Sequence, residues 1–307
     1  MMLHVIYAAL GPIIFGLIVG WICGYYNIFK QDTTQVFADF VVKIALPIAL
    51  FLAAISASSS VILNVDFMLA LAVGLIVTFI IGLIAGKLIF RHNRKDTALQ
   101  ALTVSFPDMA YCGPPVLLAT VGSSGLIAMV IGNLIYTVII LPIAIILMSG
   151  HERKSGAMQQ IRNAIRQPLV ILPILGAVLA LLGVKLPTVV ASSINEIGET
   201  AGGVALFFLG LLLSHTRFSL NFEIAFNVIV KNVLQAALIL GTGIMIGLEG
   251  DLLKAAFLIG VLPTATAVPA LATGHQAYES QAAATVFIST IASLISIVAG
   301  IAIVESL

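Results

Sequence analysis

The sequence predicts an all-α polytopic membrane protein: ten transmembrane helices as two inverted five-helix repeats, with helices 4 and 9 broken and crossing at prolines. Three observations carry that expectation: the composition, the spacing of the apolar stretches, and a self-similarity at one offset. Of 307 residues, 61% are hydrophobic and only 9% charged, against roughly 25% charge in a soluble domain. Mean hydropathy is +1.18, which requires a lipid environment. The net charge of +1 says nothing about nucleic acid, and no basic stripe suggests a nucleic-acid surface, so none is expected. Cys23 and Cys112 sit in or at the end of apolar stretches, so no disulfide framework is expected. The first residues, MMLHVIYAALGP, lack a basic leader and a small-residue cleavage site, and are read as a retained helix.

About 20 apolar residues suffice to cross a bilayer. Such stretches run near 3–23, 34–56, 66–90, 97–121, 123–148, 168–184, 192–214, 224–247, 253–275 and 280–304. In the first, Gly16, Gly20 and Gly24 recur every four residues, and Gly82 and Gly86 do so in the third. Small residues at that spacing let helix backbones approach closely. If the N-terminus lies on one side, the connections after helices 1, 3, 5, 7 and 9 lie on the other. Those connections carry Lys30, Arg91, Arg94, Lys95, Arg153, Lys154, Arg162, Arg166 and Arg217, against Lys185 and Lys254 opposite, nine to two. Basic connections stay in the cytoplasm. Both termini are therefore expected outside it, in the inner (plasma) membrane.

The hydrophilic stretch 151–167, HERKSGAMQQIRNAIRQ, separates a first repeat, 1–150, from a second, 168–307. Met158, Ile161 and Ile165 fall at helical spacing, so part of this cytoplasmic linker is expected to lie along the membrane surface. Its His151-Glu152 resembles the start of a zinc-protease motif, but Ser155 stands where the second histidine is needed. No metal site follows.

Pro12 and Pro168 are 156 apart, as are Ala49-Leu50-Phe51 and Ala205-Leu206-Phe207, and Pro107 and Pro263. Further on the match drifts: Pro115 pairs with Pro269, and Ala119-Thr120 with Ala272-Thr273. Five spans per unit is an odd number, so the second unit enters from the opposite side as an inverted repeat.

The fourth stretch, TALQALTVSFPDMAYCGPPVLLATV, interrupts its own helix. Pro107 removes a backbone donor, and Gly113, Pro114 and Pro115 follow within about two turns. Its repeat partner in helix 9 carries Pro263 and Pro269, with Thr264 and Thr266 between them. Unpaired backbone at membrane depth is tolerated only inside protein or beside a watery cavity. Paired broken helices therefore point to a transporter binding site, where half-helix N-termini suit an anion. Asp108 and Tyr111 sit in the first break. A carboxylate at midplane is costly when charged, so Asp108 is expected to bind a proton, to face a cation, or to hydrogen-bond the broken backbone. Coupling to H⁺ is the first expectation and to Na⁺ the second, with no other cofactor.

Asn133 in helix 5 and its counterpart at offset 156, Ser289 in helix 10, are further site candidates. The plainer reading of Asn133 is an interhelical hydrogen bond. Asp39 and Lys43 are four apart in helix 2, which fits a self-neutralising pair near the cytoplasmic end. Glu196 and Glu199 fall at the outer end of helix 7. Lys231, Asn232 and Gln235 give helix 8 a polar face, with Lys231 read as a cytoplasmic-end lysine reaching for water ahead of a partner for Asp108 or for a substrate carboxylate. His275 reads as interfacial.

With these residues in hand, the chain resembles the auxin efflux carrier family, which includes plant PIN-type carriers and bacterial malonate or malate permeases. The resemblance spans nearly the whole chain, and its most specific piece is Asp108-Met-Ala-Tyr111-Cys-Gly113-Pro-Pro115. That segment is similar to the family's N-x-x-[FY]-x-G-x-P stretch in helix 4, with aspartate where asparagine is usual. The resemblance implies a scaffold of helices 1, 2, 6 and 7 and a transport domain of helices 3–5 and 8–10. It also implies an elevator-type motion, a homodimer, and Asn133 near the substrate. The expected function is secondary transport of a small mono- or dicarboxylate such as malonate or malate. The alternative is a sodium-coupled carrier similar to the bile-acid symporters, and an ion channel ranks below both. No nucleotide-binding loop of the form GxxxxGK[ST] occurs. Cys112 has no histidine at its depth, so an enzyme is not expected.

Overall fold

The computed structural model describes residues 2–29, 33–56, 64–109, 112–149, 166–215 and 220–306. Tyr111 and nearly all of the expected linker lie outside them. The chain is all-helical, and the one β-type pairing among the described residues is an isolated antiparallel bridge between Pro107 and Thr264.

In chain order the helices are α1 (Met2–Tyr25), α2 (Thr33–Phe40), α3 (Leu46–Ile55), α4 (Val65–Ile84), α5 (Arg94–Ser105), α6 (Gly113–Thr120), α7 (Ser123–Ile135) and α8 (Leu141–Ser149). There follow α9 (Pro168–Leu181), α10 (Thr188–His215), α11 (Phe222–Ile229), α12 (Gln235–Met245), α13 (Gly250–Val261), α14 (Ala267–Gly274) and α15 (Glu279–Ser306). Wide π turns at Val41–Ala45, Tyr136–Ile140 and Val230–Leu234 join α2 to α3, α7 to α8 and α11 to α12, and a fourth at Ala85–Ile89 ends α4's span. Two have a legible cause. Pro47 and Pro142 lie one residue beyond the turns; each lacks the N–H that would bond four residues back, and its ring crowds that carbonyl. The chain widens to an i→i+5 bond instead, Leu46 N–H to Val41 and Leu141 N–H to Tyr136.

Among the described residues, six helical runs are long and apolar enough to cross a membrane: Thr33–Ile55, Val65–Ile89, Ile131–Met148, Thr188–Ser214, Phe222–Met245 and Glu279–Val304. Ile14–Tyr25 and Val170–Leu181 are shorter apolar helices. The fourth and ninth expected spans are each in two pieces, α5 with α6 and α13 with α14, with non-helical backbone at 106–109 and 262–266.

α1 packs along α10, and α3 against α9 and α10. The small residues of α1 fit this contact. A Cβ at Gly20 would collide with the Phe207 carbonyl, one at Gly24 with Ser214 Oγ, and one at Gly210 with the Leu17 carbonyl. The helices touch backbone to backbone, which only glycine permits. A second group joins α4 to α5 and α12, α12 to α13, and α15 to α11, α13 and α14. Here Gly82 of α4 rests on the Ala101 backbone of α5 and Gly260 of α13 on that of Ala236. Every residue from Thr97 to Met109 and from Ala255 to Thr273 is buried. The two helix breaks therefore lie at the centre of the molecule.

Candidate functional site

The two breaks cross each other directly. The Asp108 N–H donates to the Pro263 carbonyl and the Ala265 N–H to the Phe106 carbonyl, both at 2.8 Å. Pro263 supplies one carbonyl and Phe106, which precedes Pro107, supplies the other, while Asp108 and Ala265 supply the donors. An orphaned amide or carbonyl in a buried site costs about 1–3 kcal/mol, so pairing one break with the other removes two such penalties.

The remaining carbonyls at the C-terminal ends of α5 and α13 are met by side chains. Gln235 Nε2 donates to Ser105 O at 2.8 Å and to Thr78 Oγ1 at 2.9 Å. Thr264 Oγ1 donates to Thr103 O at 3.0 Å, and Ser296 Oγ to Val261 O at 3.0 Å. Lys231 Nζ donates to Leu262 O at 2.7 Å and Gly260 O at 3.2 Å. Lys231 has no exposed surface, which corrects its reading as a lysine reaching for water. Its ammonium lies within electrostatic reach of Asp108. Distance from the helix end suggested a snorkelling side chain. The acceptors, some 30 residues away at the break of another helix, left no local trace.

The expected site residues divide into two groups. Asp108, Pro107 and Asn133 line a narrow cavity of about 10 Å³ with Thr266, Phe106, Met109, Ala265, Ala267 and the α3 residues Leu46 and Leu50. Thr266 is buried, and its Oγ1 meets no hydrogen-bond partner within the protein. It precedes α14, a helix start at which the Val268 N–H is taken by the Ala265 carbonyl at 3.1 Å and Pro269 carries none. Asp108, also buried, accepts from the Cys112 thiol. Gly113 N–H closes back on the Asp108 carbonyl at 3.0 Å, and a Cβ at Gly113 would strike Met129 Sδ. Pro114 and Pro115 belong to the first turn of α6, where a missing N–H costs nothing. Pro269 is buried in the first turn of α14.

Thr264 and Ser289 fall in the other group. Ser289 Oγ accepts from the Thr264 N–H at 2.9 Å and donates to Asn232 Oδ1 at 2.6 Å, and Asn232 Nδ2 returns to the Ser289 carbonyl at 3.1 Å. These groups are consumed in bracing the break and do not line the cavity. The ring of Phe106 stacks on Tyr136, centroids 3.8 Å apart, and Tyr136 OH meets Ser105 Oγ at 3.3 Å.

A wider cavity, about 360 Å³, lies between α2 and the end of α14, lined by Asp39, Val42, Lys43, Gln167, Pro168, Leu271, Gly274 and His275. Asp39 and Lys43 form their ion pair there at 2.8 Å. His275 Nδ1 lies 2.9 Å from the Leu271 carbonyl. Nearby, connections distant in sequence are clasped together. Glu223 Oε1 is 2.7 Å from His92 Nε2 and accepts from Tyr278 OH, which in turn accepts from Asn227 Nδ2 at 3.0 Å. Burial, and then the Glu223 charge, push Tyr278 well above the usual phenol range, so it remains an O–H donor.

A membrane-embedded helical protein with two broken helices crossing beside a small, mostly apolar cavity that Asp108, Asn133 and Thr266 reach fits a transporter. The chain matches the family described as membrane transport protein over residues 5–299, and it belongs to that family, the auxin efflux carriers. It is 28% identical to the uncharacterized transporter YfdV of Escherichia coli over 293 residues, 93% of each chain. It is 24% identical to the uncharacterized transporter MJ1031 of Methanocaldococcus jannaschii, over 92% of this chain and 93% of that one. A Rhizobium meliloti protein named "Putative malonate transporter" is 23% identical over 84% of this chain and 83% of its own. Transport rather than catalysis is the role these relatives' names carry.

Proposed function

We propose that the protein is a secondary transporter of small organic anions, mono- or dicarboxylates of malonate or malate size, which binds them where the two broken helices cross. The observation that carries this reading is the polarity of the crossing. Its carbonyl ends are satisfied by Gln235, Lys231, Thr264 and Ser296. On the amide side, Thr266 offers an unpaired buried hydroxyl at the start of α14. Donors and a positive helix end suit a carboxylate, and Asn133 adds an amide on the opposite wall. Asp108 would repel an anion, but Lys231 offsets its charge, and a proton taken up by Asp108 would couple transport to H⁺. The malonate-size guess draws on the Rhizobium relative's name.

In this reading the chain makes ten passes as two inverted repeats: the six long runs, α1, α9 and the two broken pairs. Helices α1, α2–α3, α9 and α10 form a scaffold. The crossing, carried by the remaining helices, slides past α3 between the narrow cavity and the wider one at Lys43 and His275, an elevator-type alternation of access. Both termini lie outside the cytoplasm.

The test is counterflow of labelled malonate and malate in proteoliposomes, for wild type and Asp108→Asn, with and without a pH gradient. Saturable uptake that follows the gradient, and loses that dependence in the variant, is expected. Uptake of neither acid removes the substrate class, and uptake indifferent to the variant removes Asp108 from coupling.

A further inference from the structure

Away from the crossing, basic side chains gather where the run Val65–Ile89 ends: Lys87 in its closing π turn, then Arg91, Arg94 and Lys95, all exposed. Lys87, Arg91 and Lys95 take part in no ion pair among the described residues, while Arg94 has an interaction of its own within the chain. The acidic groups nearby are spent on other partners. Asp96 accepts from Asn93 Nδ2 at 2.6 Å, and Glu223 is held by His92 and Tyr278. Large apolar side chains stand exposed among these cations: Leu88 is 70% exposed, and Phe222, at the start of α11, 72%. Phe90 links the two helix ends, its ring 6.1 Å from that of Phe222 and 5.7 Å from that of Phe226. The surface is fixed in place. Arg91 holds a left-handed φ of 55°, which a non-glycine residue keeps only where its surroundings impose it, and the His92 N–H donates to the Gly86 carbonyl at 2.8 Å. Leu88 and Phe222 belong to the ends of two membrane-crossing runs, so the cations lie at the level of the lipid headgroups. Ammonium and guanidinium groups there meet a phosphate, and the apolar side chains beside them meet the upper acyl chain. A free anion would use the charges and leave Leu88 and Phe222 uncovered.

We propose that Lys87, Arg91 and Lys95, together with Leu88 and Phe222, form a binding site for an anionic phospholipid at the joined ends of α4 and α11. The plainer role of these cations is to hold their connection on one side of the membrane, for which charge anywhere in the connection serves. A lipid site differs in needing these positions and an acyl chain. The inference is independent of the transport reading, and its test needs no substrate.

The test is thermal unfolding of the purified full chain in a neutral detergent, titrated with phosphatidylglycerol, with phosphatidylcholine of the same acyl chains, and with glycerol 3-phosphate. In wild type, phosphatidylglycerol is expected to raise the midpoint saturably by about 3 °C or more, and the other two to leave it unmoved. The triple variant Lys87→Gln/Arg91→Gln/Lys95→Gln should need about tenfold more phosphatidylglycerol for the same rise. Arg166→Gln/Lys185→Gln/Lys254→Gln removes three charges elsewhere and should respond as wild type does. An equal rise with phosphatidylcholine overturns the proposal, because the charge is then irrelevant. An equal rise with glycerol 3-phosphate also overturns it, because a soluble anion then suffices. So does a triple variant that keeps the wild-type response, or a control variant that loses as much, since net charge alone would explain it. If the triple variant does not fold, Arg91→Gln and Lys95→Gln singly are read against the same control.

Discussion

Thr266 is the residue at which stability and function should move in opposite directions. Its hydroxyl is buried and unpaired within the protein, so Thr266→Val removes a desolvated polar group and substitutes a methyl of similar size. Unfolding midpoints are expected to hold or rise, by the equivalent of about 1 kcal/mol. If that hydroxyl meets the substrate, the same variant should raise KM for uptake about tenfold, the loss of one hydrogen bond to a charged group. Paired thermal and counterflow measurements check both signs. Gln235 gives the opposite case. Gln235→Leu leaves Ser105 O and Thr78 Oγ1 without their donor and should cost about 1–3 kcal/mol, read from denaturant unfolding. At this scale the sequence was informative where chemistry was local. Asp108, Asn133 and Thr266 stand beside helix breakers or in an apolar run, and all three line the cavity. Thr264 stands between the same prolines as Thr266 but braces the break, as does Ser289, which the repeat offset places without assigning a task. Lys231 was misread because its partners belong to another helix.

Among the elements, the contact of α1 with α10 makes the sharpest claim. Gly20 lies under the Phe207 carbonyl, so even one methyl has to displace backbone. Gly20→Ala should destabilise by about 1–3 kcal/mol. Gly241 is also in a helix interior, but a Cβ there meets nothing within 4 Å, and Gly241→Ala should be neutral or stabilising by about 0.5–1 kcal/mol. Equal effects of the two would remove close packing as the role of Gly20. Spacing alone flagged Gly20, since small residues every fourth position lie on one helix face. It gave no sign of Gly210, the reciprocal contact on Leu17, whose neighbours in sequence are leucines and phenylalanines. The π turns were equally hidden. Pro47 and Pro142 announce a disturbance, but whether a helix kinks, stops or widens depends on what packs around it.

For the molecule as a whole, sidedness is the open quantity. The charge bias assigns Arg91, Arg94 and Lys95 to the cytoplasm and Lys185 to the outside. The clasp of Glu223 with His92 and Tyr278 gathers the connections that precede α5, α11 and α15 on one face. With native cysteines replaced, Lys185→Cys should react with a membrane-impermeant maleimide in intact cells, and Lys95→Cys only after permeabilisation. Both side chains are exposed, so access depends on side alone. The reverse pattern would invert the proposed topology.

The crossing is fastened by main-chain atoms, Asp108 N–H to Pro263 O and Ala265 N–H to Phe106 O. Backbone fastening separates architecture from taste. On the proposed reading a substitution at 108 or 266 would change what the cavity accepts, yet the contact beneath it would stay tied, since every residue but proline carries the same amide. The junction therefore works like a fixed socket with exchangeable pins. New cargo specificities can be tried at these positions one side chain at a time, by selection or by design, without first rebuilding the joint that holds the two helices together.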